Sequence, residues 1–187
     1  MKNYIIGIDP GMTGCLSVLR YDDNSFKIIK LAEGFVINMK KKAKCKKGKN
    51  KGKVMIYANN YPDVDKMVYI VKRIKEQVGI QFAIIEKQQP MRKLGIVQGV
   101  VSVGKTMMGY GMWLGVLKMA EIPTMIVHSK TWQKSLFQNV PGFDTKEKSR
   151  YVASKLFPNL DFHRKVDHNK SDSCLLAYYC YKVKDGV

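Results

Sequence analysis

Residues 6–19 read IGIDPGMTGCLSVL. An apolar run, Tyr4 to Ile8, stops at Asp9-Pro10-Gly11, which is how a strand that ends in a turn is punctuated. From Cys15 to Arg20, and again from Phe26 to Leu31, apolar and polar residues partly alternate, with YDDNS between the two runs. This predicts two further strands joined by a turn. The chain therefore opens as an antiparallel meander, which residues Phe35 to Met39 could extend.

Beyond the meander the period changes. Pro62 opens a helical pattern through Val78, with Val64, Met67, Val68, Val71, Ile74 and Val78 close to one face, and Gly79 ends it. Gln81 to Ile85 reads as a buried strand that delivers Glu86 at its C-terminal end. A helix rich in Met and Gly is expected from about Val97 to Glu121, and a strand at Thr124 to Val127. Helices carrying Trp132 and Leu136, then Lys146 to Leu156, then Asn169 to Val183, complete the chain. The order predicts an α/β fold in which three antiparallel strands are extended by parallel ones, with helices on both faces. That is the layout of an RNase H-like mixed sheet, here in one domain over 1–187 with a basic insertion at about 40–53. Other α/β folds share the alternation, and the placement of the acids separates them.

Asp9 ends the first strand and Glu86 ends the fourth. Asp172 falls in the first turn of the last helix, with Asp167 and His168 just before that turn. A carboxylate leaving a central strand end points into a crevice, and several converging ones make an oxygen cage for Mg²⁺ or Mn²⁺. Two such ions roughly 4 Å apart can activate water and stabilise a departing 3′-oxygen in phosphodiester cleavage. A lone strand-end Asp is more often a turn or cap residue. The expectation rests on all the acids falling on this strand order in a basic chain.

Thirty-three Lys and Arg against fifteen Asp and Glu give a net charge of +18. Nine of the lysines lie in KKKAKCKKGKNKGK, Lys40 to Lys53, and carry half of the excess. The other half belongs to the body of the protein. Polyanions such as DNA or RNA are the natural partners, because each phosphate contacted releases condensed counterions. The tract itself reads as a long flexible basic loop between two strand edges. Arg92, Lys93, Lys105, Lys130, Lys134, Lys146 and Lys148 lie in expected loops or helix starts near the acids, where they can meet phosphates. Gln88 and Gln89, just after Glu86, carry amides suited to base edges.

Other classes are excluded or disfavoured. No apolar stretch approaches the roughly 18 residues of a membrane span, and Asp9 and Pro10 come too early for a secretory signal, so an intracellular protein is expected. Cys15, Cys45, Cys174 and Cys180 lack zinc spacing and read as thiols in a reducing compartment. GVVSVGKT, Gly99 to Thr106, matches the phosphate-loop pattern letter for letter. It lacks a buried strand feeding it and a later strand ending in a metal-holding Asp, so no nucleotide cofactor is expected. GIDPGMTG is similar to the phosphate hairpin of actin-like ATPases and sugar kinases, but those need two such domains and a second glycine-rich hairpin, and the chain is too short.

A resemblance gathers these features. IGIDPGMTGCLSVL resembles the first motif of RuvC-type Holliday-junction resolvases, in particular their phage and organellar branch, and FAIIEKQQ resembles the second. GVVSVGKTMMGYGMWLGVL is similar to the following stretch through Ser102, Gly104, Lys105, Tyr110 and Gly111. IVHSKTWQKSL resembles a later segment with Trp and Lys, and FHRKVDHNKSDSCLLAYY the closing motif. The resemblance runs in order over residues 4–181. It implies a homodimer that cuts four-way DNA junctions symmetrically with two Mg²⁺ ions per site, Mn²⁺ substituting. Asp9 would bridge the metals, Glu86 and Asp172 hold one each, and Asp167 or His168 complete the site; Ser102 and Lys105 would join the DNA contacts. In several relatives the last helix carries ligands three residues apart, whereas position 169 here is Asn. The lysine tract has no counterpart in that pattern.

Overall fold

The computed structural model describes residues 3–23, 25–44, 48–49, 51–90, 92–93, 96–97, 99–142 and 144–185. Its main sheet has five strands: β1 (Asn3–Asp9), β2 (Cys15–Tyr21), β3 (Phe26–Glu33), β6 (Phe82–Glu86) and β9 (Thr124–Val127). They lie in the order β3-β2-β1-β6-β9, antiparallel from β3 to β1 and parallel from β1 to β9. This is the mixed α/β sheet that the sequence predicts.

Side-chain alternation sorts the sheet into two cores. Ile6, Ile8, Leu16, Val18, Ala83 and Ile85 face α1 (Val64–Val78) and α2 (Val100–Met119). Ile5, Leu19, Ile84 and Val127 face the other way, toward α3 (Ser129–Leu136), α4 (Thr145–Leu156) and α5 (His168–Asp185). A short 3-10 turn, Lys165–Asp167, leads into α5. The helix α5 lies directly on β1 because Gly7 leaves room for it. A Cβ at Gly7 would stand 2.1 Å from the Ser173 carbonyl oxygen and 2.7 Å from the Ala177 nitrogen. Any larger residue there would push the helix off the sheet.

Three expectations are corrected. Val36–Lys44 (β4) does not extend the meander; it pairs with Val54–Pro62 (β5) as a separate two-stranded ribbon. Four lysines of the basic tract are therefore strand residues, in register from Val36 opposite Pro62 to Lys44 opposite Val54, and the tract is not a loop along that length. Positions 45–47 and 50 of the tract, Cys45 among them, lie outside the described residues. The structure also adds a small hairpin that the sequence did not reveal, β7 (Arg92–Lys93) with β8 (Ile96–Val97). Finally, α5 starts at His168, so Asp172 lies in its second turn.

The GVVSVGKT string is helical. Gly99 is the N-cap of α2, and the Val103 amide already donates to the Gly99 carbonyl at 3.0 Å. A phosphate loop needs free, converging amides, which a helix interior does not offer. Among the described residues, no helix is long and apolar enough to cross a membrane.

Candidate active site

Asp9 is the last residue of β1. Ile5 faces α5, so the two-residue period puts Gly7 and Asp9 on the same side. Glu86 ends β6 and shares a side with Ile84, which packs in that same core. The pairing of Ile8 with Ile85 then sets the two acids next to each other at the C-terminal ends of parallel strands. Asp172 immediately precedes Ser173, the residue that rests on Gly7, so α5 brings its carboxylate to the same sheet end. Crevices outside the carboxyl ends of parallel strands are where such sheets bind ligands.

The turn after Asp9 is tightly built. The Gly11 amide donates to Asp9 Oδ1 at 3.1 Å, and the Gly14 amide closes the turn on the Gly11 carbonyl at 2.8 Å. A Cβ at Gly14 would lie 2.0 Å from the Asp9 carbonyl oxygen, so only glycine fits.

The electrostatics show that the three acids form one group. Burial raises the pKa of Asp9, against the Gly11 amide and the charges of His168 and Lys146, which lower it. Glu86 is pushed up to about 7, first by burial and then by Asp9, with the indole of Trp132 opposing. Asp172 is raised well above its ordinary value by burial and by the negative charges of Asp9 and Glu86. Two hydrogen bonds orient the acids: Trp132 Nε1 donates to Glu86 Oε2 at 2.8 Å, and the buried Ser149 hydroxyl donates to Asp172 Oδ1. Neither donor stands out as a site residue in the sequence. A Trp on an expected helix beside the second acid-bearing strand is the available signal, since a buried indole N–H usually finds an acceptor. Ser149 gives none.

Among the described residues, no three His, Cys, Asp or Glu side chains are drawn together as closely as the ligands of one ion. The donor chemistry nevertheless fits a hard divalent cation: three carboxylates at one sheet end, two of them raising the third, with the Lys146 ammonium acting on Asp9 and Asp172.

Asp167 and His168 divide differently from one another. Asp167 is 1% exposed. Arg164 holds it with Nη2 on Oδ1 at 2.7 Å and Nε on Oδ2 at 3.2 Å, the Arg164 amide adds a third bond at 3.0 Å, and Lys170 lies 3.2 Å from Oδ1. These partners hold its pKa well below the usual range. Both Asp167 oxygens are thus bonded to cations of the chain. His168 is instead an electrostatic neighbour of Asp9. Its Nδ1 lies 2.8 Å from the Lys165 carbonyl, which can only accept, so Nδ1 carries the proton and the neutral ring leaves its lone pair on Nε2. Asn169 has a different task again: its amide donates to the Thr13 carbonyl at 2.7 Å and to Thr13 Oγ1 at 2.9 Å, tying α5 to the turn after Asp9.

The residues expected to contact DNA lie on several elements. Lys146 acts on both Asp9 and Asp172 from the first turn of α4. Lys130, Lys134 and Lys148 line one shallow depression between α3 and α4. Ser102 and Lys105 lie in the first two turns of α2, with Lys105 Nζ 5.1 Å from the centre of the Tyr61 ring. Gln88 is half-buried and Gln89 exposed in the segment after β6. Arg92 and Lys93 form β7, which fixes their backbone.

No family model matches the chain, and no curated protein is significantly similar to it in sequence. Solved structures are similar in fold. Thermus thermophilus RuvC in complex with a Holliday junction substrate superposes with a TM-score of 0.59 at 13% identity, over 98% of this chain and 96% of that one. A second Thermus thermophilus RuvC structure gives 0.52 at 16% identity, over 100% and 97%. The yeast mitochondrial Holliday junction resolvase gives 0.54 at 12% identity, over 98% and 81%. At these identities the likeness establishes architecture alone: the mixed five-stranded sheet with helices on both faces is a fold this chain shares with those structures.

Proposed function

We propose that this chain is a divalent-metal-dependent endonuclease that resolves four-way DNA junctions, acting as a homodimer so that two sites nick two strands. The observation that carries the proposal is the acid group itself. Asp9, Glu86 and Asp172 come from three separate elements of a fold also found in RuvC, and two of them raise the pKa of the third within a chain of net charge +18.

Asp9, Glu86 and Asp172 would hold Mg²⁺, or Mn²⁺ in its place, as a pair of ions. When bound, these supply charge neutralisation and an activated water for phosphodiester hydrolysis. The rest is done by the chain. Trp132 and Ser149 fix the directions of Glu86 and Asp172 before substrate arrives. His168 takes the fourth position, its Nδ1 anchored on Lys165 and its Nε2 able to accept a proton from the attacking water. Lys146, Lys130, Lys134 and Lys148 seat phosphates without reading sequence, and Gln88 and Gln89 are placed to set any base preference at the cut.

The test is cleavage of a labelled four-way junction in Mg²⁺ by the wild type, Asp9→Asn and Asp172→Asn. Paired symmetric nicks with 5′-phosphate and 3′-hydroxyl ends, lost in both variants, support the reading. Cutting that survives Asp9→Asn overturns the mechanism. Flaps or RNA–DNA hybrids cut in preference to junctions would overturn the substrate.

A further inference from the structure

We propose that the β4–β5 ribbon is an arm that lies along a duplex DNA branch as it leaves the acid group. The proposal rests on the nuclease reading only for what occupies that group.

Three observations carry it. The first is charge. No Asp or Glu occurs between Val36 and Pro62, while Lys40, Lys41, Lys42 and Lys44 belong to β4, and Lys49, Lys51 and Lys53 to the turn end. Lys44, Lys49, Lys51 and Lys53 are exposed. The second is shape. Nine consecutive residue pairs make a two-stranded ribbon with no partner in the five-stranded sheet. At about 3.4 Å per residue its length is roughly 30 Å, close to one turn of B-DNA, and the major groove admits a two-stranded ribbon. The third is position. Gly109 packs against Pro62 at the ribbon's root and against the Pro10 carbonyl; a Cβ there would lie 3.3 Å from Pro62 Cγ and 3.7 Å from Pro10 O. The ribbon thus starts beside the turn that presents Asp9.

The root is held firmly, so the arm is aimed. Phe35 is buried edge-on against Trp113 at 4.8 Å, and the Asp63 amide donates to the Phe35 carbonyl at 2.9 Å. Lys66 Nζ clamps the Glu33 and Gly34 carbonyls at 2.7 and 3.0 Å. A phosphate track that reaches Asp9 therefore continues onto the ribbon. The plainer reading is that lysines merely keep an open ribbon edge from pairing with other chains. That reading leaves DNA affinity untouched when they are neutralised.

The experiment uses the full chain with Lys40, Lys41, Lys42, Lys44, Lys49, Lys51 and Lys53 all changed to Gln, and a companion with the same seven changed to Arg. Thermal melting checks that both fold. Binding to a 40-bp DNA duplex, to an RNA duplex of the same length, and to four-way junctions with long or short arms is measured against salt without divalent metal. We expect the Gln variant to bind long-armed junctions about 100-fold more weakly near 0.1 M salt. Its slope of log affinity against log salt should drop by about 4, at roughly 0.9 for each phosphate no longer neutralised. The Arg variant should keep both, and junctions with arms shorter than one helical turn should show little difference. An unchanged slope for the Gln variant overturns the arm. An equal loss of affinity for the RNA duplex, whose major groove is too deep and narrow to enter, overturns the groove assignment. A wild type that cuts no junction yet shows the ribbon-dependent slope sinks the nuclease reading and leaves the arm standing.

Discussion

Asp167 ends the 3-10 turn that leads into α5, Asp172 lies five residues on within that helix, and their surroundings are opposite. Asp167 is enclosed by Arg164 and Lys170, which hold its carboxyl well below the ordinary range. Asp172 is enclosed by burial and by Asp9 and Glu86, which push it up. A carboxylate whose charge is answered by its own chain holds structure together. One that the chain surrounds with other carboxylates costs stability and persists because something outside the chain answers it. Under the proposed function, the contrast separates an anchoring acid from a working one.

The largest expected effect breaks the comparison directly. Asp172→Asn should lower junction cleavage at least about 1,000-fold, equivalent to roughly 4 kcal/mol of lost transition-state stabilisation. The same variant should melt no lower than the wild type at pH 8, because it removes one of three mutually repelling charges. Asp167→Asn should do the reverse, leaving cleavage per folded molecule within a few-fold of wild type while costing about 2 kcal/mol of stability. That figure is kept small because Arg164 is largely exposed. Since the folded pKa of Asp167 is depressed, its contribution is present above the unfolded value of about 3.8 and fades as pH falls below it. Melting curves and nicking rates on both variants decide the matter. If both lose activity alike, Asp167 belongs to the site after all.

A second effect sharpens the same contrast through pH. The Glu86 carboxyl rises from an unfolded value of 4.5 to about 7 in the fold. The native state therefore binds a proton that the unfolded state releases, so this group's stability is full below pH 4.5 and is lost as pH climbs toward 7. The loss is roughly 3 kcal/mol. Without divalent ions, the wild type should fall relative to Glu86→Gln across that window, the difference between the two curves isolating Glu86 from the remaining charges. Adding Mg²⁺ at pH 7.5 should raise the wild-type melting temperature more than that of Glu86→Gln. Parallel curves from pH 4.5 to 7.5, or an equal Mg²⁺ response, would remove Glu86 from the proposed metal site.

The sheet is readable in the sequence because its signals are local. Asp9-Pro10-Gly11 ends one strand, period-two runs mark the next two, and the strand expected at Thr124 to Val127 forms over those same four residues. The strand-end acids are readable for the same reason, each being the last residue of an apolar run. What escapes depends on pairing at a distance. Lys40 to Lys44 have poor strand propensity, and their ladder exists because Val54 to Ala58 runs antiparallel across from them. The surroundings of Asp167 depend on Arg164, at the N-cap of a 3-10 turn that sequence periodicity does not signal, and on Lys170 in α5. Ser149 reaches Asp172 only after α4 has packed on α5.

The smallest effect concerns Trp132. Its indole is buried against Phe137, edge-on at 5.4 Å, and its N–H is the group that opposes the rise of Glu86. Trp132→Phe keeps an aromatic ring in the core and deletes the donor. A hydrogen bond to a charged acceptor contributes about 1.5–3 kcal/mol, so Glu86 should ionise about one pH unit higher or more. The acidic limb of the cleavage pH profile should then move up by a similar amount, while the rate on the alkaline plateau stays within about threefold of wild type. A role in packing alone would lower the rate evenly at every pH and leave the limb in place. The position of that limb thus tells whether the indole tunes a working carboxylate or only fills the core behind it.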